Sequence, residues 1–441
     1  MNKNLNKLIA LVISVSIIYS NLTPAYGAES TKVLKTNTES IAALDKNQAK
    51  PLLKVDTVVE RAIENSEKLA LKSKEISMYK KKINTQESLN DEISNASLTA
   101  DYSEYFLETT GDYYIDTYEI NRNAAKQDKE FMKDSIERDI KTKYNDIVLM
   151  EIQISKLKRE IEIKNNQLNF SNVNAQTGYG TETQKMAVEI ALKDLKNQLS
   201  LKENLLKNKK DYLGVLTDLD LDKYNLDYTL FYDTIDIDED IDSYLNDKLD
   251  KYLQYKEQLL DASSDYVEDL DDNLDDSPKE VNPPSINMNM IANIIDPTTG
   301  NIDPAKAAAL VNRTLEGYKE YKEYTQELNS YLKYLDIDYE VASNKVELND
   351  SRKLMKSKLD EAYSSLKDLE NQIDLMNDQF AYVNKNLSFA KVQYEVGMMT
   401  LTDYNDKVVQ SEDLEIGLRQ LINGYNTLKD TIEKPWCSIG S

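Results

Sequence analysis

The stretch LDEAYSSLKDLENQIDLMNDQFAYVNKNLSFAKVQY, Leu359–Tyr394, decides the fold. Within it Leu359, Ala362, Leu366, Leu369, Ile373, Met376, Phe380, Val383, Leu387, Ala390 and Tyr394 step by three, then four, without interruption. That spacing puts the apolar side chains on one narrow stripe of a helix, and so long a stripe requires a second helix laid along it. The stripe stops at Gly397, and a second one runs through Leu414, Leu418, Leu421, Tyr425, Leu428 and Ile432. The pair predicts a long helical hairpin turning at Gly397. Phe380 is expected between the two helices, with Asp378 and Gln379 facing away.

The same design occurs earlier in the chain. Ile140, Ile147, Ile154, Ile161, Leu168 and Ala175 recur every seventh residue, and Thr177-Gly178-Tyr179-Gly180 breaks the run. A return helix then carries Leu192, Leu199, Leu206 and Leu213, with Val188 and Leu195 beside them. Upstream, a helix is expected from Asp56 past Ile93, fraying near Gly111, and the long helix from about Tyr118. In the second half Ile237, Asp238 and Ile241 repeat the spacing of Val55, Asp56 and Val59. Asp303-Pro304 reads as an N-cap and first helical residue. From Pro304 to Tyr394 the pattern allows one helix of about 91 residues, roughly 135 Å long, with Asp336-Ile337-Asp338 as a point of interruption.

These features describe an internal duplication. The reading is a signal peptide at 1–27, a linker at 28–53, a first helical repeat at 54–217 and a connector at 218–235. A second repeat follows at 236–432, with a distal insertion at about 276–303, and a tail at 433–441. The fold class is all-α or nearly so, built of long antiparallel coiled-coil hairpins. The signal rests on Lys3 and Lys7, an apolar run from Leu8 to Tyr19, and small residues at Ala25 and Gly27 before a cut. The run is shorter than the ~20 residues of a spanning helix.

Composition narrows the function classes. The 441 residues carry a net charge of −24, which opposes binding to nucleic acid and to anionic membrane surfaces. It suits either a passage that attracts cations or simple solubility of an exported helical protein. Histidine is absent, which removes the commonest general base and transition-metal ligand. Cys437 is the single cysteine, so an internal disulfide is impossible. No phosphate loop, nucleophile constellation or metal-ligand spacing is present, and the chain is read as a non-enzyme without cofactor or metal. The acidic runs Asp236–Asp242 and Asp265–Asp276 lack the glycine of a calcium loop and read as solvated helix ends. The tyrosines Tyr318, Tyr321, Tyr324, Tyr331 and Tyr334 read as partly exposed helix packing.

The layout resembles the TolC-like outer membrane efflux protein family over roughly residues 54–432. The sharpest part is Tyr394-Glu395-Val396-Gly397-Met398-Met399-Thr400-Leu401-Thr402-Asp403-Tyr404, which is similar to the family's second turn. Gly178-Tyr179-Gly180-Thr181 occupies the first turn, and Asp56–Asn65 is similar to the opening helix. The resemblance implies an α-barrel protomer that assembles as a homotrimer, a tapered helical conduit working with a periplasmic-type adaptor and an inner-membrane transporter. It implies that Gly178, Gly180, Thr181, Gly397 and Thr400 form the adaptor-docking tips. Asp403 and Asp406 match acidic residues that narrow the entrance, although Asp403 equally suits a helix cap. The implied location is the cell envelope, in the outer membrane if the host has one and otherwise at the cell surface.

The chain departs from the family at its distal connectors. A spanning strand needs about nine to eleven residues of alternating apolar character. Leu98–Ile120 offers Tyr114, Tyr118 and Ile120 around Asp116, and the second connector offers Ile286, Met288 and Met290 between asparagines. The barrel strands are therefore expected to be reduced or absent. A different class remains open on the residues alone, a coiled-coil structural or interaction protein of the envelope that conducts nothing.

Overall fold

The apolar stripes fold as paired helices in the computed structural model, which describes residues 50–96, 102–235, 237, 240–273 and 279–439. The region read as a signal peptide lies outside the described residues. The helices are α1 (Val55–Glu64), α2 (Glu67–Ala96), α3 (Tyr102–Thr177), α4 (Glu182–Thr217), α5 (Ile241–Asn273), α6 (Met288–Asn293), α7 (Pro304–Glu395), α8 (Leu401–Glu433) and α9 (Trp436–Ile439). Two short strands, β1 (Leu52–Leu53) and β2 (Asn225–Leu226), pair in parallel, with Leu53 opposite Leu226. An antiparallel bridge joins Ile295 to Ile302. The chain divides into two compact units.

The described residues of the first unit fall within 50–72, 128–252 and 355–439. Its helices pair as the stripes require. Lys209–Asp146 at 2.8 Å and Lys210–Glu151 at 2.6 Å tie α4 to α3. Arg159–Glu412 and Lys156–Asp413 tie α3 to α8. Ser411–Asn384 at 2.8 Å and Tyr425–Glu370 at 2.9 Å tie α8 to α7. The order across the layer is thus α4, α3, α8, α7. Leu359, Leu366, Leu369, Ile373 and Ala390 of α7 are buried, as are Leu418, Tyr425 and Ile432 of α8.

A core of Val58, Val59, Ala62, Ile140, Ile147 and Leu213 closes one part of this unit around β1 and β2. Tyr144 pins the strands from below. Its hydroxyl donates to the Leu53 carbonyl at 2.7 Å and accepts from the Asp227 amide at 2.7 Å. Burial pushes its phenol up. Tyr144→Phe should cost about 0.5–1.5 kcal/mol, the net worth of the hydroxyl's hydrogen bonds, because the Asp227 amide still donates to the Leu53 carbonyl at 3.0 Å. A denaturation midpoint equal to wild type would contradict this account of the strand pair.

The second unit comprises 73–127 and 253–354. Tyr79 meets Tyr118 between α2 and α3, with ring centroids 6.4 Å apart. Tyr113 stacks on Tyr266 at 4.2 Å between α3 and α5, and bonds Ser263 at 3.0 Å. Arg352 of α7 pairs with Glu257 of α5. Here the order is α2, α3, α5, α7.

Several local expectations need correction. The opening helix breaks at Asn65–Ser66, where the Asn65 side chain donates from Nδ2 to the carbonyls of Val215 and Leu216 at 3.2 Å. Those contacts to the end of α4 compete with helical continuity. The long helix α3 begins at Tyr102, well before Tyr118, and does not fray at Gly111. A Cβ at Gly111 would lie 2.2 Å from the Asn90 side chain, so glycine lets α2 and α3 close up there. Asp336-Ile337-Asp338 does not interrupt α7. Phe380 is half-buried rather than enclosed, while Asp378 and Gln379 are exposed as expected. The C-terminal tail is built into the unit: Trp436 stacks on Phe131 at 4.1 Å and donates to Asp134 at 2.9 Å. Cys437 is therefore buried.

Candidate functional site

Two features of the first unit bear on function: the glycine turns and the uncovered edges of the helix layer. Gly178 (φ +79°) and Gly397 (φ +76°) both occupy the left-handed region, which terminates α3 and α7 at little cost. Alanine at either place would be strained by the backbone alone. After the first turn, Thr181 caps α4. Its hydroxyl accepts from the Gln184 amide at 3.3 Å, and the Gln184 side chain accepts from the Thr181 amide at 3.0 Å. Together these form a capping box.

The second turn is closed differently. The Thr400 hydroxyl accepts from the Asp403 amide at 3.1 Å and donates to the Asp403 carboxylate at 2.8 Å. Asp403 thus sits in the first turn of α8, where a negative charge meets the positive end of the helix dipole. Asp406 is exposed one turn further on. Tyr394 and Tyr404 stack at 5.3 Å and brace the hairpin beneath the turn. The tips themselves are apolar and open, with Tyr179 90% and Met398 82% exposed. The structure gathers Gly178, Gly180 and Thr181 into one tip and Gly397, Thr400 and Asp403 into the other.

The edges matter as much as the tips. In α7 the residues Leu375, Tyr382 and Phe389, with Val396 just past the helix end, are spaced by seven and all exposed. They form a second stripe on the face away from α8. In α4 the residues Met186, Ile190, Leu201, Leu205, Tyr212 and Val215 are likewise exposed. The layer α4, α3, α8, α7 therefore ends on two helices that each leave an apolar stripe uncovered. By contrast α8, inside the layer, buries two faces.

That inner burial carries a polar seam which the sequence reading missed. Glu412 is fully buried between α8 and α3, and its partner is Arg159 at 3.3 Å. Its second carboxylate oxygen has no hydrogen-bond partner. Desolvation pushes its carboxyl up, against the pull of Arg159. Arg419 pairs with Glu415 at 3.0 Å and donates to the Tyr228 carbonyl at 3.0 Å. Tyr228 in turn donates to Glu151 at 2.6 Å. Asn405, Glu412 and Arg419 recur every seventh residue, which was the available signal.

Comparison with solved structures gives the fold. The chain superimposes on the Campylobacter jejuni CmeC outer membrane channel with a TM-score of 0.51, over 96% of this chain and 94% of that one. The chain has the fold of a TolC-like channel protomer. Sequence identity to CmeC is 14%. A membrane protein from Pseudomonas aeruginosa matches with a TM-score of 0.51 and 10% identity, over 87% of this chain and 93% of that one. No protein-family model and no curated protein sequence matches the chain. Within the TolC-like fold, this chain has long helices packed in pairs and, among the described residues, only the short strands given above.

Proposed function

We propose that this chain belongs to the TolC-like family and is a component of an envelope export or efflux system, a homotrimeric helical conduit. The observation that carries the reading is the four-helix layer with an uncovered apolar stripe on each of its two outer helices. Stripes of this length on a charged protein mark surfaces that another helix covers. The two edges differ, so copies join head to tail, and such a contact leaves no free edge only when the ring closes. The apolar tips around Gly178, Gly180, Thr181, Gly397 and Thr400 then point the same way in every copy. They form the docking surface for a periplasmic-type adaptor that connects to an inner-membrane transporter. Asp403 and Asp406 from three copies form an acidic entrance.

The same reading makes the chain a duplicated hairpin, with repeats at 54–217 and 236–432, exported by the segment 1–27 and held in the cell envelope. The functional test is at the entrance. Asp403→Asn together with Asp406→Asn should preserve helix content, with a capping loss of about 1 kcal/mol at position 403. It should also weaken the cation preference of currents through the protein in a planar bilayer. Trimers that carry no current, in wild type and variant alike, would replace the conduit with a non-conducting envelope scaffold.

A further inference from the structure

The second unit carries a projection. Thr110 bonds Tyr266 at 2.9 Å, so α3 and α5 end near one level. Glu257 meets Arg352 and Asp271 faces Tyr334, so α7 runs antiparallel to α5. α5 stops at Asn273, whereas α7 reaches back to Pro304. About 30 residues of α7, roughly 45 Å of helix, therefore continue past α5. The segment 279–303 returns along them. A Cβ at Gly317 would stand 3.1 Å from Pro284, so glycine lets the segment close on the helix.

The tip of this finger is depleted of charge. From Val281 to Asn312 only Asp296, Asp303 and Lys306 are charged, in a chain that is 30% charged. Ile286, Met288, Ile291, Ile295 and Ile302 of the segment and Val311 of α7 are exposed, Met288 by 80%. A partner helix covers one stripe. Here both members of the finger display apolar side chains, which suits a tip entered into lipid. The tip also bonds its own backbone. The Asp303 amide donates to the Ile294 carbonyl at 2.7 Å, and the Asp296 amide to the Asn301 carbonyl at 2.8 Å. The Thr298 amide donates to the Asp296 carboxylate at 2.7 Å, and the Met290 amide to the Asn287 side chain at 3.0 Å. Internal bonding of this kind is what a poorly hydrated setting demands. Behind the tip, from Arg313 to Tyr324, charges return in equal numbers of each sign, with Tyr318, Tyr321 and Tyr324 among them. Tyrosine and lysine are residue types of the lipid headgroup level. Two acids against one lysine leave the tip near neutral, so the acidity of the whole chain does not repel it from an uncharged lipid surface.

We infer that the finger tip, residues 281–312, dips into one leaflet of a lipid bilayer as a monotopic anchor. No helix among the described residues is long and apolar enough to cross a membrane, and this contact needs none. Ile286, Met288 and Ile291 enter the boundary between headgroups and acyl chains, while the tyrosines stay at the surface. The inference goes beyond the conduit reading and holds whether or not a ring closes.

The test is flotation of the processed chain with phosphatidylcholine vesicles. Wild type should float. M288D/I291D should lower the partition by about tenfold or more, since two apolar side chains are replaced by carboxylates that resist the acyl boundary. V346D changes an apolar residue of α7 that is 60% exposed outside the finger, and it should float like wild type. A polarity-sensitive dye on M288C needs no loss of apolar surface, and its emission should shift to the blue with vesicles; Cys437 is buried and escapes the label. Circular dichroism and light scattering should show unchanged helix content and mass in M288D/I291D. A monomer that floats, and loses flotation in M288D/I291D, upholds this inference while the trimeric reading falls. Wild type that stays in the aqueous phase overturns it, as do M288D/I291D floating like wild type or an unshifted dye. Flotation seen only with phosphatidylglycerol vesicles and abolished by salt also overturns it, because the contact then belongs to charged side chains elsewhere. So does a loss of assembly mass in M288D/I291D with flotation intact, which would make the tip a protein contact.

Discussion

Replacing Arg159 by Met should lower the stability of the protein by about 3–5 kcal/mol at neutral pH. Glu412 has no solvent exposure, and Arg159 is the partner that its carboxylate holds across the α3–α8 seam. Without the guanidinium a buried charge is left facing Glu415 from the same helix. The loss should shrink as the pH is lowered, because Glu412 can then take a proton and shed its charge. The sign follows from linkage. Glu412's carboxyl is pushed up by burial, so the folded chain keeps this proton at pH values where the unfolded chain has released it. Its contribution to stability is therefore lost as pH rises from the ordinary glutamate range through the raised value. Arg159→Met widens that window, since it removes the group pulling the value down. Glu412→Gln should abolish the fall, and the double variant should recover most of the loss. Denaturant titrations of the four proteins across pH decide the matter. An Arg159→Met curve parallel to wild type at all pH values would sink it.

The second large effect is expected on the main seam. Ile373→Ala and Leu366→Ala should each cost about 2–5 kcal/mol, since both side chains are fully enclosed by α8 and its neighbours. Phe380→Ala should cost less in the isolated chain, because Phe380 is half-buried. Tyr382→Ser and Phe389→Ser should change protomer stability by no more than about 0.5 kcal/mol, as both side chains stand in solvent. They should instead weaken assembly. Thermal melts paired with sedimentation separate the two behaviours. Equal destabilisation at positions 373 and 389 would contradict the assignment of inner and outer stripes.

Much of this was legible because heptad spacing acts over many turns. Ile140, Ile147 and Ile154 are buried where the spacing put them, and so are Leu192 and Leu213. The turns at Gly178 and Gly397 were legible too, because a glycine between two long stripes has few other uses. Helix ends were harder to read. The break at Asn65–Ser66 depends on carbonyls at the end of α4, far away in sequence. The start of α3 at Tyr102 reflects packing that lets Gly111 stay helical. The outer stripe of α7 was masked in the sequence by the stronger inner one, since Leu375, Tyr382 and Phe389 fall between its members. The polar seam of α8 was missed because Glu412 and Arg419 look like surface residues until α3 covers them.

The molar mass of the processed chain by light scattering is the most direct test of the central claim. A ring closed through the α4 and α7 edges predicts a single species of three times the protomer mass, stable on dilution. A species that keeps the mass of one chain at every concentration, with its helices intact, would contradict it.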